Sequence, residues 1–541
     1  MNEGMKATTG EAQALRAWKT WHSIALACIV VAGIAWRLSV ALNAPWYWDE
    51  GYVAELARCL GSLHRPQLGA MWQDGFFPLS TSVLAPLSAA PLASLPWWSA
   101  MTGARLWAVG LEVLSLGLVA ALAGKLASPR RVLFAAACYA LLPFAAEHGG
   151  RAFYHHLAVV FVLLTLAYGQ SAFDTSGRGP WSRASLCAGL ALATCYWLWW
   201  LPLSWAVVLL AKRPAGWARA LPWMALAPAL VFALNVMPNA QGALWSIRGL
   251  LRTSSVGGPH SVAAWGLALG SDIKVLPFLA VGLAGMGWAA WREGGRWKWF
   301  LVCLFFATLE PIRQRGNIAG MPYPFIPAAP LAALGAAYLA DSALGRGPWG
   351  LALALLGALV FFKPLNLDWL RLWSSRPEKV AELKGFLEQK GRHGDLVCGL
   401  PNFNWALRPD FQVCEPFEVG AAEGRASGFY VPGAPASRFA TPCRIRDVRF
   451  AVVSRINLLG LYKLDGVALS FLQMERQGWP LVFDDQTFKV YENPRFGVKP
   501  DPASRIIQDP FYYQVAWQQA REAGLPDLCV FAVARAESAP H

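Results

Sequence analysis

The chain has 541 residues; 56% are hydrophobic, only 15% are charged, and the formal net charge at pH 7 is +14. A soluble globular chain carries roughly 45–50% apolar and about 25% charged residues, so this composition excludes a disordered protein, a collagen-like or coiled-coil rod, and a single soluble domain. Lys and Arg are scattered in short groups between apolar runs, with no basic stripe or nucleic-acid motif, which argues against a nucleic-acid partner and fits the loops of a membrane protein.

A helix needs about 20 mostly apolar residues to cross a bilayer. Stretches without Asp, Glu, Lys or Arg occupy 20–36, 132–146, 152–173, 184–211, 220–247, 275–291, 316–340 and 347–362. The run 106–124 is broken only by Glu112, and 299–309 is shorter but lies in an apolar context. The long run 184–211 contains Pro202 and reads as a helical hairpin turning near Cys195–Trp200. These patterns predict a polytopic α-helical membrane protein with about eleven transmembrane helices. The first run is read as an anchor and first helix, because its charged lead-in is long and no small-x-small cleavage site follows it.

Placing the N-terminus in the cytoplasm puts fifteen membrane-region Lys and Arg on inner segments and eight on outer ones. That bias supports the cytoplasmic N-terminus, and an odd number of crossings then puts the C-terminus outside. From about residue 364 charges, turns and short apolar strands return: 395–399, 449–454, 480–484 and 487–491, preceded by a helix-like stretch at 377–390. The predicted organisation is a transmembrane domain over 1–363, with a first outer loop at 44–104, and a C-terminal extracytoplasmic α/β domain over 364–541 that is long enough for its own core. Four of the ten cysteines (398, 414, 443 and 529) fall in this outer domain, where an oxidising compartment would allow two disulfides in any of three pairings. No Cys/His spacing has the form of a zinc site.

The chemistry concentrates where the chain leaves the first helix, in Pro45-Trp-Tyr-Trp-Asp49-Glu50-Gly-Tyr52-Val-Ala-Glu55-Leu-Ala-Arg58. Two adjacent acids sit here among aromatic residues. Asp49 is placed to be the N-cap of an interfacial helix, with Glu55 and Arg58 an ordinary i,i+3 pair; a capping carboxylate can also face a reaction site, so both readings stand. The same loop adds Asp74 in Trp72-Gln-Asp74-Gly-Phe-Phe-Pro78, which has the form of a turn. Glu112 is an acid inside a membrane run, a costly placement that often marks function, and pairing with Arg37 or with another helix would satisfy it.

A first helix carrying Arg37, followed by an outer loop with aromatic-Asp49-Glu50-x-Tyr52, resembles the C-type membrane glycosyltransferases, in particular the protein O-mannosyltransferase-like and aminoarabinose (lipid A) transferase-like families. Glu147-His148-Gly-Gly-Arg151-Ala-Phe-Tyr154 is similar to the family's Arg-x-x-Tyr helix start. Arg313-Gln-Arg315 with Tyr323-Pro-Phe-Ile-Pro resembles its late Arg/Tyr-Pro segment, and 478–494 its outer-domain ending. The chain departs in holding Glu147 as the candidate second acid and in lacking a Glu-Lys-Pro run after the first loop.

The resemblance implies a sugar donor linked to polyprenyl phosphate, used at the outer face of the cytoplasmic (inner) membrane, and a protein, lipid or glycan hydroxyl as acceptor. Such chemistry needs a base for the acceptor proton, cations for the phosphate and a greasy groove for the lipid. Asp49 is the expected base, with Glu50 orienting acceptor or arginine. Arg313 and Arg315, then Arg151 and Arg37, are the expected phosphate ligands, because the guanidinium fork suits phosphate. Asp74, Glu147, His148 and Tyr323 complete the expected substrate-binding set. No motif demands a cofactor, and the chemistry admits a divalent metal. The rival readings are a transporter or lipid flippase, for which Glu112 is the main support, and a non-catalytic membrane assembly subunit.

Overall fold

A computed structural model describes residues 9–61, 84–126, 129–174, 178–214, 217–233, 237, 275–314, 323–344, 374–399, 401–407, 410–414, 416, 419, 443–454, 467–507 and 510–538. In chain order its main helices are α1 (Thr9–Asn43), α2 (Trp48–Gly61), α3 (Leu84–Ala93), α4 (Ala100–Leu126), α5 (Pro129–Leu141), α6 (Pro143–Gly149), α7 (His155–Asp174), α8 (Arg178–Thr194), α9 (Trp200–Lys212), α10 (Trp217–Val231), α11 (Leu276–Arg292), α12 (Arg296–Gln314) and α13 (Ala329–Leu344). The C-terminal part contains α14 (Pro377–Lys390), α15 (Pro401–Leu407), α16 (Val467–Arg476), α17 (Pro510–Glu522) and α18 (Pro526–Glu537). The strands are β1 (Trp46–Tyr47), β2 (Ser374–Ser375), β3 (Leu396–Cys398), β4 (Gln412–Cys414), β5 (Val448–Ser454), β6 (Leu481–Asp484) and β7 (Phe488–Glu492).

The chain forms two compact units: 1–43, 105–230 and 259–365 in the first, and 44–104, 231–258 and 366–541 in the second. The first is helical. Among the described residues four helices are long and apolar enough to cross a membrane, Trp21–Asn43, Ala100–Lys125, His155–Asp174 and Phe325–Ser342, and the bent pair α5–α6 makes up to five. Val31, Leu114, Leu203 and Val207 are exposed large apolar side chains on these and neighbouring helices, as lipid-facing positions require. The run 132–146, expected as one crossing, is instead broken by a 59° bend between Leu141 and Pro143, because a proline ring removes a helical N–H and clashes with the preceding turn. The run 184–211 does turn where Cys195 ends α8: a 3-10 turn, Tyr196–Leu198, leads into α9. The run 347–362 lies outside the described residues.

Close helix contacts in this unit rest on small residues, as in lipid, where van der Waals packing replaces the hydrophobic drive. A Cβ on Gly285 of α11 would meet the Gly335 carbonyl of α13, and one on Gly335 the Gly282 carbonyl. Tryptophans fill the wider gaps: Trp205 stacks on Trp181 with centroids 5.3 Å apart, and its Nε1 donates to Ser185 Oγ at 3.0 Å.

The second unit carries the sheet. Its strand order is β4-β3-β5-β7-β6, with β3 parallel to β4 and β5, and β7 antiparallel to β5 and β6. Val452 lies opposite Val490 and Ser454 opposite Phe488. Phe450, Val452, Phe488, Val490 and Trp479 are buried and form its core with Leu383 and Leu387 of α14. The segment after the first helix belongs here too. β1 pairs antiparallel with β2, Trp46 opposite Ser375, and the Trp46 ring meets Trp405 of α15 edge-on at 4.7 Å. α2 packs on α3 and α15.

Candidate functional site

In the second unit helix α2 begins at Trp48, immediately after β1. Asp49 and Glu50 therefore occupy its first turn, and Asp49 is not the cap residue that the sequence suggested. Acids in a first turn are favoured by the unpaired N–H groups and positive end of the helix. Glu50 and Tyr52 are buried. Arg58 grips Glu55 with Nη2 at 3.0 Å from Oε1, the i,i+3 pair expected.

In the first unit the polar residues converge on one buried cluster. The end of α5 leaves carbonyls without helical partners, and that of Tyr139 would have bonded the N–H that Pro143 lacks. Arg37 of α1 fills this gap: Nη2 donates to Tyr139 O at 3.1 Å, Nη1 to Ala140 O at 2.7 Å and to Gly33 O at 3.2 Å. Its Nε donates to Glu112 Oε2 of α4 at 3.1 Å. Glu112 also accepts from the Tyr139 hydroxyl at 2.9 Å and from His156 Nδ1 of α7 at 2.9 Å. A carboxylate paired with arginine only accepts, so Nδ1 of His156 carries the proton. Arg37, Glu112 and His156 are almost wholly buried, and four helices are tied by one carboxylate.

Two glycines let the α6–α7 turn reach this cluster. A Cβ on Gly149 would lie 2.6 Å from Arg37 Nε and 3.1 Å from Glu112 Cγ, and one on Gly150 would strike the Arg37 carbonyl. The turn carries Glu147, half-buried, and His148 and Arg151, both buried. His148 Nδ1 donates to Phe144 O at 2.9 Å, and its ring stacks on Phe153 at 5.9 Å. The Arg151 N–H donates to His148 O at 3.0 Å. His155 stacks on Tyr154 at 4.0 Å and faces Trp197 at 5.9 Å.

The sequence-predicted residues thus divide. Arg37 and Glu147-His148-Arg151 gather in the first unit, and Asp49 and Glu50 lie in the second. Arg313 stands in the last turn of α12, and Tyr323 opens a 3-10 segment, Tyr323–Ala328, that packs against α6, α7, α12 and α13. Asp74 and Arg315 lie outside the described residues. Arg37 has its Nε, its Nη1 and one N–H of Nη2 directed at protein acceptors, so it joins helices. Among the described residues no group of three His, Cys, Asp or Glu side chains is arranged to hold a metal ion.

No protein-family model and no curated relative matches the sequence. Solved structures do match. ArnT from Cupriavidus metallidurans bound to undecaprenyl phosphate superposes with a TM-score of 0.60 at 15% identity, over 88% of this chain and 98% of that one. The Archaeoglobus fulgidus oligosaccharyltransferase in its apo form gives 0.52 at 13% identity, over 93% and 78%. The same archaeon's oligosaccharyltransferase AglB, in complex with an inhibitory peptide and a dolichol-phosphate, gives 0.51 at 13% identity, over 89% and 75%. This chain has the C-type membrane glycosyltransferase fold. Within that C-type fold, Asp49-Glu50 directly follows the first long apolar helix, and the Arg37–Glu112 cluster lies within the helical unit.

Proposed function

We propose that this protein is a membrane glycosyltransferase that moves a sugar from a polyprenyl-phosphate donor to a hydroxyl-bearing acceptor at the outer face of the cytoplasmic membrane. The observation that carries this reading is the C-type fold, shared over 98% of the length of an ArnT whose structure holds undecaprenyl phosphate. The paired acids at the start of α2 supply the base that such a reaction needs.

In this reading the Asp49 carboxylate takes the proton of the acceptor hydroxyl, and the freed oxygen attacks the sugar's anomeric carbon. The bond from that carbon to the phosphate oxygen breaks, and polyprenyl phosphate leaves. Glu50 orients the acceptor or an arginine. Arg313 and Arg315, with Arg151, hold the phosphate as negative charge grows on it. Asp74, Glu147, His148 and Tyr323 line the substrate site. Arg37 acts at one remove, by fixing the turn that carries His148 and Arg151.

The proposed topology has about eleven crossings, a cytoplasmic N-terminus and an extracytoplasmic α/β domain over 364–541. A reporter fused after His541 tests it, and a cytoplasmic signal would refute it. The pairing of Glu112 with Arg37, Tyr139 and His156 supports an enzyme over a transporter, since the acid that most favoured transport has a structural employment. The decisive test is Asp49→Asn in membranes supplied with polyprenyl-phosphate sugars: transfer should be lost while the variant accumulates normally. Wild-type transfer by well-expressed variant removes Asp49 as base, and no transfer by the wild type from any such donor favours a transporter or an assembly subunit.

A further inference from the structure

A cleft of about 810 Å³ opens in the α/β unit between the turn that precedes β5, the end of α16 and the start of α18. Arg444, Arg446 and Arg476 line it with the amides of Gln473 and Gln477, together with the buried Ile445 and Leu528. Its volume falls within the range of about 300–1,000 Å³ typical of small-ligand sites. Against three guanidinium groups the lining sets one carboxylate, that of Asp527. Over 364–541 Lys and Arg number twenty-one and Asp and Glu twenty. The stretch is thus close to neutral, and the cleft is a local excess of positive charge.

The arginines are held in place before any ligand arrives. Nδ2 of the buried Asn493 donates to Ile445 O at 3.2 Å and to Val448 O at 2.9 Å, and Asp447 N donates to Arg444 O at 2.9 Å. These bonds fix the turn that carries Arg444 and Arg446. Among the described residues no hydrogen bond or ion pair engages the Arg444 side chain. Arg446 stands 3.6 Å from its neighbour Asp447, and Arg476 stands 3.3 Å from Asp527, with all four side chains exposed. Exposed pairs of this kind are worth little, so both arginines can exchange a carboxylate of the protein for an anion. Arg476 also complements the negative end of α16. Arg444 and Arg446 serve no helix end, and gathering like charges in one cleft focuses a field that attracts anions. Trp479 Nε1 can only donate, so its bond to Gln477 Oε1 at 3.0 Å leaves the Gln477 NH₂ group as the free donor.

We propose that this cleft binds a saccharide bearing phosphate or carboxylate groups. The guanidinium forks take the anionic groups, which they match in either form. The glutamine amides bond ring hydroxyls, and Ile445 and Leu528 pack on the apolar face of a sugar ring. The use of the site rests on the transferase reading above: there the saccharide is the acceptor, recognised by its charge through residues that take no part in the chemistry.

Binding is measured by isothermal titration of the full-length protein in neutral detergent, with tetragalacturonate, a mannose phosphate, maltotetraose and inorganic phosphate as probes. One or both anionic saccharides should bind more tightly than maltotetraose or inorganic phosphate; which of them binds names the carboxylate or the phosphate form, and either upholds the site. Arg444→Ala combined with Arg446→Ala should weaken binding about tenfold, and Asp527→Asn should tighten it by freeing Arg476. Lys499→Ala removes the same charge at an exposed residue outside the lining and should change nothing. Maltotetraose bound as tightly as both anionic saccharides, or an arginine pair variant that binds as the wild type does, overturns the proposal. Inorganic phosphate bound as tightly as the saccharides makes this an anion site alone and overturns it too. So does arginine-dependent binding to phosphatidylglycerol vesicles without binding of either saccharide, which makes the cleft a lipid contact. Asp49→Asn should bind the probes as the wild type does, so the two readings fail separately: probes bound by a protein that transfers nothing leave the cleft standing, and transfer with no probe bound removes the cleft alone.

Discussion

Nε of Arg37 lies 3.1 Å from Oε2 of Glu112, a contact between side chains 75 positions apart and almost wholly withdrawn from water. Such a pair contributes little compared with apolar residues of the same volume, yet removing one partner strands the other and typically costs about 3–5 kcal/mol. Glu112→Ala and Arg37→Ala should each lower stability by about that amount, and the double variant should be less destabilised than the sum of the two. Denaturant unfolding of the purified protein in detergent checks this; strict additivity would show that the two charges are not coupled.

Gly149 is the second test of the cluster. A methyl group there would press on Arg37 Nε and Glu112 Cγ, and overpacking of this kind costs about 1–3 kcal/mol. Gly149→Ala should destabilise, and should do so less when Glu112 is also replaced by Ala. Gly287→Ala on α11 is the control: a Cβ there meets nothing within 4 Å, and alanine is better than glycine in a helix by about 1 kcal/mol.

Glu475 of α16 supplies a pH signature in the α/β unit. Its Oε1 accepts from the N–H groups of Ile506 and Ile507 at 2.6 Å and from Tyr513 at 3.2 Å, while Arg535 Nε stands 3.7 Å from Oε2. Burial outweighs these partners and pushes the carboxyl up to about 7. The folded state thus holds its proton more tightly than the unfolded chain, whose carboxyl titrates near 4.5. Stability from this group is fully present below about 4.5 and falls as pH rises towards 7, by about 3 kcal/mol in all. Thermal unfolding between pH 5 and 8 should show that decline, and Glu475→Gln should flatten it; an unchanged slope would assign the decline to other groups.

Arg449 on β5 is the electrostatic joint of the sheet. Its Nη1 reaches Asp395 at 2.7 Å, and its Nη2 reaches Glu492 at 3.3 Å and the Lys390 carbonyl at 2.8 Å. Lysine cannot reproduce that fork. Arg449→Lys should therefore destabilise by about 1–3 kcal/mol, read as a lower unfolding midpoint, and Arg449→Ala by more.

The C-terminal elements were legible because their signals are local. The helix expected at 377–390 is α14, and four expected strands match β3, β5, β6 and β7 to within a residue or two. β4 escaped because Gln412–Cys414 holds only two apolar residues, Val413 and Cys414, without the glycine-bounded apolar run that marks β3. In the helical unit, apolar runs located helices, and the length of 184–211 marked its turn after Cys195, but the break at Pro143 went unmarked. Pro143 sits in a stretch as apolar as its neighbours, and only its missing N–H marks the break. The partner of Glu112 was legible only as a choice, since sequence gives the spacing along one helix and not the height at which a second helix passes it. The carbonyls that Arg37 serves were illegible for the same reason, since they lie on another helix.

The bend at Leu142 has a mechanical meaning. A proline break left open would be a hinge, free to flex as its unpaired carbonyls exchange partners. Here the carbonyls of Tyr139 and Ala140 are both tied to one guanidinium that is itself anchored on another helix. Straightening α5 into α6 would strand those donors in a water-poor interior, so the two segments form a rigid elbow, and any rearrangement during a working cycle has to turn about other joints.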